Sequence, residues 1–250
     1  MISNISINKN ISSLFSQPEI SKKITASKSI VIKINLAKPP QENHPRTDPI
    51  LLKAIINHLI SMNKKVIICE SADGFLEENL NTIGLQNLIS NSSVIICDLD
   101  KEQYQIIFIN KQKILVPQIL IDADLRISIP CCSKRENHLF SCNIKNFFGA
   151  TPRIGYMKEE GGRSRLKLHE DLTSSILNVF EAFQTYAKFN FYINGGNAFV
   201  EGKGLFNFDK IYISDDAIEL DNSIFEKYFY NCEKPEYLTR LEERFNKVIL

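Results

Sequence analysis

Ser29-Ile30-Val31-Ile32-Lys33-Ile34-Asn35-Leu36 is the stretch that decides the architecture. It is β-branched, short and nearly continuous in apolar side chains, the pattern of a strand buried on both faces. Such a strand needs helices above and below it, so the flanking sequence should alternate between helical and strand patterns. Downstream comes a loop holding Pro39, Pro40, His44 and Pro45, and then Asp48-Pro49 opens a helix, with Asp as N-cap and Pro at the first helical position. Leu51, Ala54, Ile55, His58, Leu59 and Met62 recur on one face of that helix. Residues 65–69 read as the next strand, 75–89 as holding a second helix, and 93–97 as a third strand. Residues 104–109 and 113–116 read as a hairpin turning at Asn110-Lys111, and 125–130 as the strand that closes this half.

Farther out the pattern is less regular. Residues 139–148 read as a helix stopped by Gly149, 153–167 as a polar loop, and 168–186 as an amphipathic helix. Strands at 188–193 and 210–213 flank a loop over 194–204, and helices at 221–230 and 235–248 follow. Upstream of the opening strand, the polar residues up to Ser27 are anchored only by Leu14 and Phe15 and read as a short surface helix. The expected fold is α/β: an open, mostly parallel, doubly wound-like sheet with helices on both faces and a second half of more irregular α+β character. No repeat, low-complexity tract or linker interrupts the 250 residues, so one domain is expected. It divides into a peripheral segment 1–27, an alternating half 28–150, and a second half 151–250 packed on it.

The net charge of +1 gives no global field toward nucleic acid or an anionic membrane, and the basic residues lack interleaved aromatics on one face. No run approaches the ~18–20 apolar residues that span a bilayer, and no basic region followed by an apolar stretch marks a signal peptide. A cytoplasmic setting with reduced thiols is the expectation. Cys69 and Cys97 end apolar strands and read as small buried hydrophobes. No Cys-x-x-Cys pair occurs, which argues against a zinc ribbon or a ferredoxin-type cluster. Cys131, Cys132 and Cys142 near one strand end are the alternative metal set.

Ligands of open α/β sheets bind beyond the carboxyl ends of the strands. That rule selects Lys33, Asn35 and Lys38 after the first strand, Glu70, Ser71 and Asp73 after the second, and Asp98 and Asp100 after the third. Lys134, Arg135 and His138 follow the strand at 125–130. Both charge signs converge there, as acid–base work on a small polar ligand requires, although loops are polar in any case. Among the histidines, His58 reads as a core or boundary residue and His169 as exposed. His44, beside Arg46, fits a ligand contact or a plain loop residue equally, and His138 precedes a helix where an anion could sit. The loop 153–167, with Arg153, Lys158, Arg163, Arg165 and Lys167 around Gly155, Gly161 and Gly162, fits either a lid over an anion or an ordinary exposed loop. Four glycines in 194–204 would let backbone approach a ligand, but the spacing matches neither a dinucleotide fingerprint nor a Walker loop.

Several of these segments, in this order, resemble the domain of unknown function 362 family. They are Ile32-Lys33-Ile34-Asn35-Leu36, Thr47-Asp48-Pro49, Glu70-Ser71, Asp122-Ala123-Asp124, and Lys145-Asn146-Phe147-Phe148-Gly149. Glu201-Gly202-Lys203-Gly204 and the pair Asp216 and Asp221 complete the set. The resemblance spans about residues 10–230. It departs in three places: Lys134 and His138 stand four apart where the family has Lys and His two apart, Asn194 replaces an Asp, and Leu205 replaces a Pro. Some relatives carry an appended ferredoxin-like iron–sulfur module. Asn43-His44-Pro45-Arg46-Thr47-Asp48-Pro49 is also faintly similar to a His-Thr-Arg-x-Thr-Pro stretch of the lactate racemase family.

Together these readings lead to an expectation of an enzyme acting on a small anionic metabolite, a carboxylate or a phosphate. His138, Lys134 and His44 would serve as catalytic groups. Lys33, Asn35, Arg46, Glu70, Ser71, Lys145, Asn146, Glu201, Gly202 and Asp216 would contact the substrate. The alternatives are an iron–sulfur-associated redox accessory protein and a non-catalytic metabolite-binding module. The sequence identifies no cofactor and no oligomeric state.

Overall fold

Alternation at the sequence level becomes a layered α/β structure, which a computed structural model describes over residues 2–6, 11–36, 45–135, 138–156 and 165–246. The chain enters through β1 (Ser3–Ser6), α1 (Ile11–Phe15) and α2 (Pro18–Ala26). The alternating part is β2 (Ser29–Ile34), α3 (Pro49–Ser61), β3 (Lys65–Glu70), α4 (Leu76–Thr82), α5 (Gln86–Ile89) and β4 (Val94–Asp98). A hairpin of β5 (Tyr104–Ile109) and β6 (Gln112–Pro117) and the short α6 (Gln118–Ile121) lead to β7 (Leu125–Ile129). Next come β8 (Cys132–Arg135), β9 (His138–Ser141), α7 (Asn143–Phe148), α8 (Leu166–His169) and α9 (Leu172–Tyr186). Last are β10 (Phe191–Asn194), β11 (Asn197–Val200), β12 (Gly204–Asn207), β13 (Lys210–Ser214), α10 (Ala217–Tyr228) and α11 (Glu236–Asn246).

The main sheet runs β1-β13-β10-β7-β2-β3-β4. β10, β7, β2, β3 and β4 are mutually parallel, while β13 is antiparallel to both β10 and β1. Strand alternation sends Ile30, Ile32 and Ile34 into one hydrophobic cluster with α1 to α5, and Val31 into a second cluster with α7, α9, α10 and α11. β3 and β4 are laid down on one side of β2, and the chain then returns to place β7 and β10 on its other side. The strand order therefore reverses between β2 and β7, which makes their carboxyl ends the topological switch point.

Local chemistry explains most boundaries. Asp48 caps α3 as expected, its Oδ1 accepting from the Ile50 and Leu51 amides at 2.9 Å. The stretch 75–89, expected to hold a helix, holds two, and Gly84 separates them by adopting φ +79° beyond the end of α4. Asn110 and Lys111 both take left-handed φ, which gives the hairpin between β5 and β6 the twist that a two-residue turn needs.

Three expectations are corrected. Residues 138–141 form β9, not the start of a helix, and α7 begins only at Asn143. The glycine loop is itself largely a hairpin, β11 with β12, and β11 pairs in parallel with β8. The N-terminal stretch supplies an edge strand and two helices, and it buries Ile11, Leu14, Phe15, Ile20 and Ile24. The four-stranded sheet β12-β11-β8-β9 grows from the carboxyl ends of β7 and β10, so it stands beside the switch point.

Candidate functional site at the strand ends

Lys33 faces α7, where the alternation of β2 would otherwise place a core residue, and it is 1% exposed. Its ammonium lies 2.8 Å from Glu70 Oε1 and donates to Ile34 O at 2.7 Å and Asn146 Oδ1 at 3.2 Å. Those acceptors use all three of its hydrogens. Glu70 is also fully engaged, accepting from the Leu36 amide at 3.0 Å and the Ser71 amide at 2.8 Å. A Cβ on Gly149 would meet the Lys33 ammonium at 3.2 Å, so this glycine lets the end of α7 close over the ion pair.

From this pair a polar run crosses the sheet. Asn146 donates to Ser128 Oγ at 3.0 Å, and that hydroxyl donates to Asn143 Oδ1 at 3.2 Å. Asn143 Nδ2 in turn donates to Asn194 Oδ1 at 2.5 Å and Asp221 Oδ1 at 2.9 Å. Asp221 also accepts from the Asn143 and Ile144 amides at 3.0 and 2.8 Å. Burial raises its carboxyl to about 6 against the opposing pull of those donors. The run thus joins the ends of β3, β2, β7 and β10 through α7 to α10, and its members satisfy one another. Lys33, Glu70 and Asn146, selected from the sequence as ligand contacts, are brought together here as an interior network.

Nearer the surface, Thr47 welds the switch point. Its hydroxyl donates to Ile129 O at 2.6 Å and accepts from the Asn35 amide at 2.7 Å, so one buried side chain joins β2 to β7. Asp48 extends the join: its Oδ2 accepts from the Asn197 amide at 3.2 Å, tying the start of α3 to β11. Beside this lies a cleft of about 400 Å³ lined by Arg46, Thr47, Pro49, Asn197, Phe199 and Leu205, among others. Arg46 is half-buried there, and the half-buried Asn35 side chain makes no hydrogen bond among the described residues. Arg135, at the end of β8, sits 5.9 Å from the centre of the Phe199 ring. Lys145 is half-buried and has no hydrogen-bond or ion-pair partner among the described residues. Burial first, and then the neighbouring Arg135 and Lys134, bring its amine down to about 8.

The other expected residues fall elsewhere. Ser71 donates to Asp100 Oδ1 at 2.5 Å, and Asp100 also takes the Arg153 amide at 2.7 Å and its guanidinium at 3.4 Å. Burial opposes ionisation of Asp100, but these donors hold its carboxyl below the ordinary range. In the basic loop, Arg165 donates to Thr151 O and Gly149 O, while Lys158, Gly161, Gly162 and Arg163 lie outside the described residues. Glu201 and Gly202 form the exposed turn between β11 and β12, with the Glu201 amide on Lys134 O at 2.9 Å. Lys134 turns its ammonium to Arg135 O at 2.7 Å. Asp216 caps α10 at the opposite end of the sheet, because β13 runs antiparallel to its neighbour β10. His44 and the side chain of His138 lie outside the described residues. Cys131 directs its thiol to Cys132 O and Asn197 O, away from the facing thiols of Cys132 and Cys142. Among the described residues no group of three or more His, Cys, Asp or Glu is placed to hold a metal ion.

Ser128 and Asn143 were not expected at the site, while Thr47 and Arg153 were expected only as part of the Thr47-Asp48-Pro49 segment and of the basic loop. Ser128 had left a signal, since it stands between Ile127 and Ile129 in the buried end of its strand.

The family model described as "Domain of unknown function (DUF362)" matches residues 30–226. The chain belongs to the DUF362 family. That span includes every strand end assembled above. A search of curated proteins finds no match for this DUF362 chain. Among solved structures, the lactate racemase apoprotein from Thermoanaerobacterium thermosaccharolyticum is similar, with a TM-score of 0.53 and 16% identity over 82% of this chain. Only 50% of that protein is covered, so this chain spans about half its length. At such identity the likeness is one of fold: a mostly parallel α/β sheet. Among the described residues no helix is long and apolar enough to cross a membrane.

Proposed function

We propose that this DUF362 chain is an enzyme that binds a small carboxylate or phosphate metabolite in the cleft beside Arg46 and uses Lys145 to move a proton. The observation that carries the reading is the cleft's position at the β2–β7 switch point, where open α/β sheets bind their ligands. Arg46 supplies a guanidinium suited to a planar anion, and the uncommitted Asn35 amide supplies a neutral donor and acceptor. Lys145, with its amine near 8, exchanges a proton readily at physiological pH. Similarity to a protein named for lactate, a small hydroxy acid, favours a carboxylate among the candidate anions. The Lys33–Glu70 pair takes no direct part and fixes the strand ends instead.

Calorimetric titration with lactate and with inorganic phosphate tests the proposal. Binding of either anion, weakened at least tenfold in Arg46→Ala, is the expected result. No binding of either, or equal binding by the variant, refutes it. Binding without turnover of any 2-hydroxy acid tried would leave a metabolite-binding module and remove the enzyme.

A further inference from the structure

Two buried thiols stand at the end of the polar run without any part in holding a ligand. Cys132 on β8 and Cys142, the residue directly after β9, are cross-strand neighbours by the Ser133–Ser141 register. Their sulfurs are 2.8 Å apart, and the residues are 1% and 0% exposed. Asn194 Nδ2 donates to both, at 3.1 and 3.2 Å, an arrangement that favours a sulfur carrying negative charge. The two thiols are not equivalent. Burial, then the Cys132 thiol and the Asp221 carboxylate, push the Cys142 thiol well above its ordinary range. Cys142, with the Asp221 carboxylate beside it, therefore keeps its proton.

We propose that Cys132 and Cys142 form a peroxide-responsive dithiol that closes to an intramolecular disulfide. In the first step the Cys132 thiolate attacks one oxygen of hydrogen peroxide. The O–O bond breaks, Cys132 becomes a sulfenic acid, and the released hydroxide takes up a proton as water. In the second step the Cys142 sulfur attacks the Cys132 sulfur. The S–S bond forms, the S–O bond breaks, and the departing hydroxide leaves as water with the Cys142 proton, which Asp221, hydrogen-bonded to that thiol, is placed to relay. Two thiols and one peroxide thus give one disulfide and two waters. Asn143 links Asp221 and Asn194 to the run ending at Lys33, so the redox state of the pair reaches the strand ends beside the cleft.

The test is peroxide treatment of the native chain, alkylation under denaturing conditions, and peptide mass spectrometry. A Cys132–Cys142 linked peptide pair, released by dithiothreitol, is the expected product, and Cys142→Ser should accumulate a sulfenic acid at Cys132 that dimedone traps. Recovery of both thiols in reduced form at a peroxide dose that oxidises the half-buried Cys232 overturns the proposal, as does a link to Cys131. If Cys142→Ser does not fold, substoichiometric peroxide with dimedone on the wild-type chain gives the same reading. Label at Cys132 supports the proposal, and label at Cys142 overturns it.

Discussion

Replacing Lys33 by methionine keeps most of the side chain's volume and removes only its charge and its three hydrogen bonds. Glu70 then remains 1% exposed, with its backbone donors but without a cation. Breaking a buried ion pair from one side costs about 3–5 kcal/mol, because the surviving charge is left uncompensated. For a chain of this size that lowers the melting temperature by about 6–20 °C. The sequence contains no tryptophan, so unfolding is best followed by far-ultraviolet circular dichroism in urea. The double variant Lys33→Met with Glu70→Gln removes the stranded charge, and it should recover about 2 kcal/mol or more of the loss. A Lys33→Met chain within about 1 kcal/mol of wild type would refute the reasoning. So would a double variant no more stable than the single one. Either result would return Lys33 to the role of a ligand contact that the sequence first suggested.

Two other substitutions probe the joins around the cleft. Gly196 has φ +68°, and a Cβ there would lie 2.6 Å from Asp48 Oδ2, so Gly196→Ala both strains the backbone and disturbs the α3 cap. A loss of roughly 2–4 kcal/mol is expected in urea denaturation, and a neutral effect would show that Asp48 does not hold α3 to β11. Lys145 titrates near 8 when folded and near 10.5 when unfolded, so the unfolded chain binds the extra proton between those values. Stability from this group should therefore rise as pH climbs from about 8 to about 10.5, and Lys145→Met should flatten that slope while adding stability at pH 7. An unchanged slope in the variant would mean that the amine is not desolvated.

Much of the main sheet was legible because its signals are local. β2, β3, β4 and β7 are apolar runs, Asp48-Pro49 carries its own cap, and Asn110-Lys111 marks a turn. What escaped notice depends on partners distant in sequence. β8 and β11 have four residues each and no apolar alternation, and part of their pairing joins Ala198 to Cys132, 66 residues earlier in the chain. Residues 139–141 carry helix-compatible side chains, yet pairing of β9 with β8 overrides them. The same holds for the candidate site. The rule for strand ends selects Lys33, Asn35 and Glu70, but it could not tell which polar residues face one another. Lys33 and Glu70 look like ligand groups until their mutual contact is seen, and Asp216 matches a family pattern while serving as a helix cap at the other end of the sheet.

The most direct test of the central claim is a crystal structure of the chain soaked with lactate. The carboxylate is expected in the cleft beside Thr47 and Phe199, within hydrogen-bond distance of Arg46. A carboxylate found instead at the opposite end of the sheet, in the cavity lined by Lys23, Arg126, Lys188 and Asp215, would contradict it.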